Sequence, residues 1–268
     1  MSNSVQVAIA QANTEPWVSI WLKGQTPTWI KESIIDLDII NYRSIDAPFF
    51  IKKFDEFHEN NRYRKKIGLW QGRLDKIFAK LISRKIPKYK YNEATKTLTV
   101  NSWSTYFLRG RRNIALFDWF LNCTTKDFLF LTTTSSYINQ RNLLQLARQF
   151  DPNALIYAGY LLPEGEMKQF VSGAGTLISR RCVELVRDNW KLYKHDTLED
   201  VDLGRLMSRL GILATPLSRV SVPSPNEVSK LPEDVILGEF HFRCKSQDIP
   251  RKDAEIMRLL HERITRLS

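Results

Sequence analysis

After Asp127, Phe128-Leu129-Phe130-Leu131 is a continuous apolar run that stops abruptly at Thr132-Thr133-Thr134-Ser135-Ser136. Apolar residues at successive positions suit a strand covered on both faces, so this run predicts the buried centre of a sheet. Further strand candidates lie at 17–22, 38–42, 98–100, 155–159 and 170–179. Between them, apolar residues recur at helical spacing over 109–121, 139–150, 180–190, 198–210 and 251–267, and a short helix is expected at 28–35 behind Pro27. Strands alternating with helices predict an α/β fold, a mixed central sheet flanked by helices. Four prolines, Pro216, Pro223, Pro225 and Pro232, make 216–237 read as a long loop.

The chain has 268 residues and a formal net charge of +11. That excess favours an anionic partner: nucleic acid, an anionic membrane surface or a phosphorylated substrate. Much of it sits in the 61–91 segment, from Arg62 to Lys90, where Leu69, Leu74, Ile77, Phe78, Leu81 and Ile82 recur near helical spacing. This reads as a basic amphipathic helix. It either packs on the sheet or contacts an anionic membrane surface peripherally. No nucleic-acid-binding motif surrounds it, so nucleic acid is not expected as a partner. No apolar stretch has the length of a membrane span, and the N-terminus does not read as a secretory signal. Cys123, Cys182 and Cys244 form neither a disulfide framework nor a zinc pattern and read as buried reduced thiols. A cytoplasmic protein, peripheral at most to the inner face of a membrane, is the expectation.

Phosphate-loop, dinucleotide-binding and serine-elbow motifs are all missing. Among the four histidines, His58, His195, His241 and His261, no pair has zinc-helix spacing. His241 alternates with aromatics in Phe240-His241-Phe242, as on a strand. Gly173-Ala174-Gly175 is either a tight turn or a place where backbone approaches a ligand. Glu199-Asp200, followed by Asp202, is the densest acidic cluster. It either complements the start of a helix or supplies a general base in a cleft.

In order, the chain carries the Leu98-Thr99-Val100 strand, the helix ending in Trp119, and the Asp127–Leu131 run. Then come the polar turn, Tyr137-Ile138-Asn139, Gly173-Ala174-Gly175 and Glu199-Asp200-Val201-Asp202-Leu203-Gly204. Over roughly 98–210 this succession resembles the β-1,3-galactosyltransferase/Fringe family of GT-A glycosyltransferases. The resemblance implies a single GT-A-like (Rossmann-like) domain over 1–268, with the cleft at the carboxyl ends of the strands. It also implies an inverting hexosyl transfer from a nucleotide sugar, expected to be a UDP-sugar, to a glycan or glycolipid hydroxyl, as in polysaccharide biosynthesis.

By the same resemblance, Asp200 is the base, supported by Glu199. Thr133, Thr134, Ser135, Gly173, Ala174, Gly175 and His241 bind the donor and its diphosphate. The family has an acidic, metal-holding triplet where this chain has Thr133-Thr134-Ser135. Neutral hydroxyls cannot supply the charge that a hard divalent ion requires. No metal cofactor is therefore expected, and a basic side chain could neutralise the diphosphate instead. The alternative is a catalytically inactive GT-A-like domain that binds a glycan or a protein partner.

Overall fold

The computed structural model describes residues 5–12, 17–32, 34–46, 85–103, 109–164, 167–193 and 198–268. Its core is an eight-stranded sheet in the order β3-β4-β2-β1-β5-β8-β7-β9. The strands are β1 (Val7–Ala12), β2 (Leu37–Ile45), β3 (Tyr89–Asn92), β4 (Thr97–Trp103), β5 (Phe128–Thr133), β7 (Tyr157–Glu164), β8 (Met167–Ser179) and β9 (Thr215–Pro216). β1 pairs in parallel with both β2 and β5, and β2 in parallel with β4, whereas β8 runs antiparallel to β5 and β7. A smaller three-stranded sheet joins β10 (Val220–Ser221), β11 (His241–Arg243) and β6 (Ser136–Ile138). The mixed α/β, GT-A-like architecture expected from the sequence is present.

Strand alternation divides the core into two layers. Ala8, Ala10, Leu129 and Leu131 face one layer, with α1 (Arg109–Cys123), α3 (Arg180–Asp188) and α4 (Glu199–Arg209) packed there. Val7, Ile9, Phe128 and Phe130 face the other, which holds α2 (Gln140–Ala147), α5 (Pro225–Lys230), α6 (Glu233–Gly238) and α7 (Asp253–Leu267). Burial on both faces is why β5 reads as an uninterrupted apolar run. Side chains cap two of these helices: Asn139 accepts from the Asn142 amide, and Ser179 from the Cys182 amide. Arg180 closes the C-terminal end of α1 by donating to the carbonyls of Phe120, Leu121, Thr124 and Lys126.

Several expectations are corrected. Residues 17–22 are helical: Val18–Ile20 is a helical turn that continues as a π-turn over Trp21–Gln25. Ile20 and Gln25 are buried there while Trp17 and Leu22 are exposed, which is not strand alternation. The 28–35 helix shrinks to a 3-10 turn, Trp29–Lys31. The 216–237 segment is no plain loop, because its prolines begin or precede helices: Pro225 opens α5 and Pro232 stands just before α6. Residues 61–84 of the basic block, and His58 and His195, lie outside the described residues. The end of that block, from Tyr89, is strand β3 rather than helix. Cys182 and Cys244 are buried thiols, but Cys123 is exposed. No helix among the described residues is long and apolar enough to cross a membrane.

Candidate active site

β5 ends at Thr133, where Thr134 and Ser135 turn the chain into β6. The turn is held from outside. Gln25 donates its Nε2 to the carbonyls of Thr133 and Ser136, both at 2.8 Å, and Trp29 Nε1 donates to the Ser136 carbonyl at 3.1 Å. Thr134 and Ser135 are buried, whereas Thr133 is half-buried. Antiparallel pairing with β8 sets Thr132 opposite Gly175. The parallel strands β1 and β5 both end here, so the site lies at the carboxyl edge of the sheet, where α/β folds place ligands.

α4 brings its first turn to the same edge. Asp200 Oδ2 accepts the Gly173 amide and Oδ1 the Val201 amide, each at 3.0 Å. A carboxylate offers about four lone-pair sites, so acceptor capacity remains. Burial pushes the Asp200 carboxyl above the ordinary carboxylate range, and the Gly173 amide only partly offsets this. Thr133, Gly173, Glu199 and Asp200 line one small cavity of about 20 Å³, together with Tyr42, Asn113 and Thr176. The fold thus gathers residues 66 to 67 positions apart in sequence, Thr133 with Glu199 and Asp200, around one space.

Two of the glycines sit in close contact with neighbouring side chains. A Cβ on Gly175 would stand 2.4 Å from His241 Cε1, and one on Gly173 would stand 3.2 Å from Asp200 Cβ. Their missing side chains make room for the protein's own His241 ring and Asp200 side chain. His241 does not face the cleft: it is 1% exposed and stacks edge-on against Phe130. Its Nε2 lies 3.1 Å from Ser136 Oγ, and that hydroxyl donates its single proton to the Ala174 carbonyl. The imidazole Nε2–H must therefore be the donor to Ser136. Burial, reinforced by Arg219 and Arg243, holds His241 well below the usual histidine range and keeps it neutral. Ala174 is buried within β8 and contributes that carbonyl.

Sequence reasoning missed three arginines. Arg243 Nη1 donates to Thr133 Oγ1 at 2.6 Å, Arg251 Nη2 to Ser135 Oγ at 2.8 Å, and Arg219 Nη1 to Ser172 Oγ at 3.0 Å. Arg243 follows His241 by two residues on β11, so both side chains leave the same face of that strand. The strand parity of a histidine already singled out was the available signal.

The family resemblance noted in the sequence implies a divalent metal at this turn. The two hydroxyl oxygens that would have to receive it already accept N–H groups from cations. Among the described residues, no group of three or more His, Cys, Asp or Glu side chains could hold a metal ion. A divalent cation, which takes anionic oxygen ligands, does not fit such a donor set.

One solved structure matches this architecture over nearly its whole length. A glycosyltransferase involved in the glycosylation of the major capsid of PBCV-1 superposes with a TM-score of 0.50 at 10% identity, covering 95% of this chain and 99% of that one. The apo form of the glycosyltransferase GlyE from Streptococcus pneumoniae TIGR4 gives a TM-score of 0.46 at 11% identity, with 98% of this chain and 64% of GlyE covered. The sequence matches no protein-family profile and no curated protein. At such identities the likeness is one of fold. The chain has the GT-A-like α/β fold found in glycosyltransferases.

Proposed function

We propose that the chain is an inverting, metal-independent glycosyltransferase. It takes a sugar from a nucleotide donor, a UDP-sugar in the reading favoured here, and passes it to a hydroxyl of a glycan or glycolipid. The observation that carries the proposal is the Asp200 carboxylate, held by the Gly173 amide beside Thr133 at the carboxyl edge of the sheet.

In the proposed step, the acceptor oxygen forms a bond to the anomeric carbon while the bond from that carbon to the β-phosphate oxygen breaks. The electron pair leaves with the phosphate, and the acceptor proton passes to Asp200. Its elevated affinity for protons suits it to that task. Glu199 borders the same cavity and helps to orient the acceptor. Thr133 presents a hydroxyl to the donor side, and the buried Thr134, Ser135 and His241 shape the turn behind it.

The test is nucleotide release and glycan extension with a panel of nucleotide sugars, with and without excess chelator. Equal rates in both conditions are expected. Loss of activity on chelation, restored by manganese or magnesium, would refute metal independence. No turnover of any donor, alongside tight glycan binding, would favour a binding domain built on this fold.

A further inference from the structure

Three guanidinium groups surround one patch of hydroxyls, and they come from separate segments. Arg219 lies between β9 and β10, Arg243 on β11, and Arg251 just before α7. Each donates to a hydroxyl, respectively Ser172 in β8, Thr133 at the end of β5 and Ser135 in the turn that follows. Cations are rarely gathered without an anion to justify the repulsion. Here Arg243 is pulled down to about 10 by burial and by the neighbouring charges of Arg219 and Arg251. Among the described residues, the carboxylate answering this cluster is Asp253, which pairs with Arg251 and accepts its Nε at 3.1 Å. Neither Arg219 nor Arg243 is within ion-pair distance of a described carboxylate. Arg219 also keeps a buried Nε without a partner among the described residues.

The side chains are braced for their positions. Arg219 lies over the Tyr160 ring at 4.0 Å and Arg251 over Trp17 at 4.4 Å. Stacking fixes a planar guanidinium while leaving its edge to hydrogen-bond, the geometry in which arginine recognises phosphate oxygens. The cluster also adjoins the base. Arg219 bonds Ser172, and the next residue, Gly173, holds Asp200. Thr133 is shared, since it accepts from Arg243 and borders the Asp200 cavity.

We infer that Arg219, Arg243 and Arg251 form the diphosphate site of this protein, taking the nucleoside diphosphate group by charge and hydrogen bonding in place of a divalent metal. The inference deepens the glycosyltransferase reading and rests on it for the identity of the natural ligand. The three cations meet the two phosphates in the ground state. As the bond to the anomeric carbon breaks, the electron pair stays on the β-phosphate oxygen and their N–H groups stabilise the negative charge that develops there. Asp253 holds Arg251 toward Ser135 rather than toward solvent.

Binding of UDP and of inorganic pyrophosphate is measured by calorimetry in excess chelator, on the full chain and on Arg219→Gln, Arg243→Gln and Arg219→Lys. Both probes should bind the unaltered protein. Each glutamine variant should weaken UDP at least tenfold, and Arg219→Lys should restore part of the loss. Pyrophosphate binding that matches UDP would assign the recognition to the diphosphate alone. Much tighter UDP binding, with the same loss in the arginine variants, would add a nucleoside contact.

If Arg243→Gln does not fold, shown by the absence of a cooperative melt, the half-buried Arg219 variants decide. UDP binding that appears only with manganese or magnesium, or that is unchanged in the Arg219 variants, would overturn the inference. Asp200→Asn keeps the failures apart. If it transfers sugar normally while the arginine variants lose UDP, the base assignment falls and the diphosphate site stands.

Discussion

Asp200→Asn separates chemistry from packing at the centre of the site. Asparagine has the shape of the carboxyl group but only one acceptor oxygen. One of the two amide bonds, from Gly173 or Val201, is therefore lost. That costs about 1 kcal/mol, with about 0.3–1 kcal/mol more for removing a negative charge from the first turn of α4. The desolvation effect has the opposite sign. Burial raises the Asp200 carboxyl above its ordinary range, so the folded chain disfavours the ionised form. A carboxyl raised in the folded state contributes stability that is fully present below its unfolded value, about 3.9, and is lost as pH rises through the folded value. At neutral pH the ionised group is thus a burden on folding that asparagine does not carry.

The opposing effects leave a net change within about 1 kcal/mol, or roughly 2–4 °C in Tm for a chain of this size. Transfer should fall about 10²–10⁴-fold, the span of a lost general base. Initial rates and urea midpoints on both proteins, taken from pH 4 to 7, provide the check. The variant's relative stability should improve as pH rises through that window. Near-normal transfer would refute the base. A loss of several kcal/mol accompanying the rate loss would show that the carboxylate is structural.

Two further substitutions probe the framework. Gly175→Ala would place a Cβ 2.4 Å from His241 Cε1 and 2.5 Å from its Nδ1, with the ring buried and bonded to Ser136. Gly175 does not have a positive φ, so the cost is steric: about 1–3 kcal/mol by urea denaturation, with a near-neutral result refuting the packing assignment. Arg180→Ala removes the charged cap on the last carbonyls of α1 and should lower stability by about 2 kcal/mol, read as a Tm drop of roughly 4–8 °C. An unchanged Tm would mean that water serves those carbonyls equally well.

Patterns that local chemistry enforces were legible in the sequence. β5 is apolar at successive positions because both faces are covered, and α2 and α3 begin where Asn139 and Ser179 can cap them. β1 was missed because Ala8 and Ala10, facing α1, give its Val-Ala-Ile-Ala run neither bulk nor clear alternation. Residues 17–22 were misread because tertiary contacts decide their conformation: Gln25 anchors the following turn to carbonyls more than a hundred residues away. The acidic half of the site was legible as Glu199-Asp200, a compact motif at a helix start.

The basic half has no such signature. Arg219, Arg243 and Arg251 are separated by a β-strand pairing and two short helices, and only the return of β11 alongside β6 brings them to the hydroxyl turn. The net charge of +11 could announce an anionic partner without locating it, because surface and cleft cations count alike. Location comes from what each cation touches. At this turn the arginines touch hydroxyls, Arg243 at Thr133 and Arg251 at Ser135, and a cation held there favours an anionic ligand. Neutral hydroxyls at Thr133-Thr134-Ser135 would by themselves only make a poor metal site. In the proposed reading, the three guanidiniums bonded to these hydroxyls and to Ser172 supply the charge for the phosphates themselves.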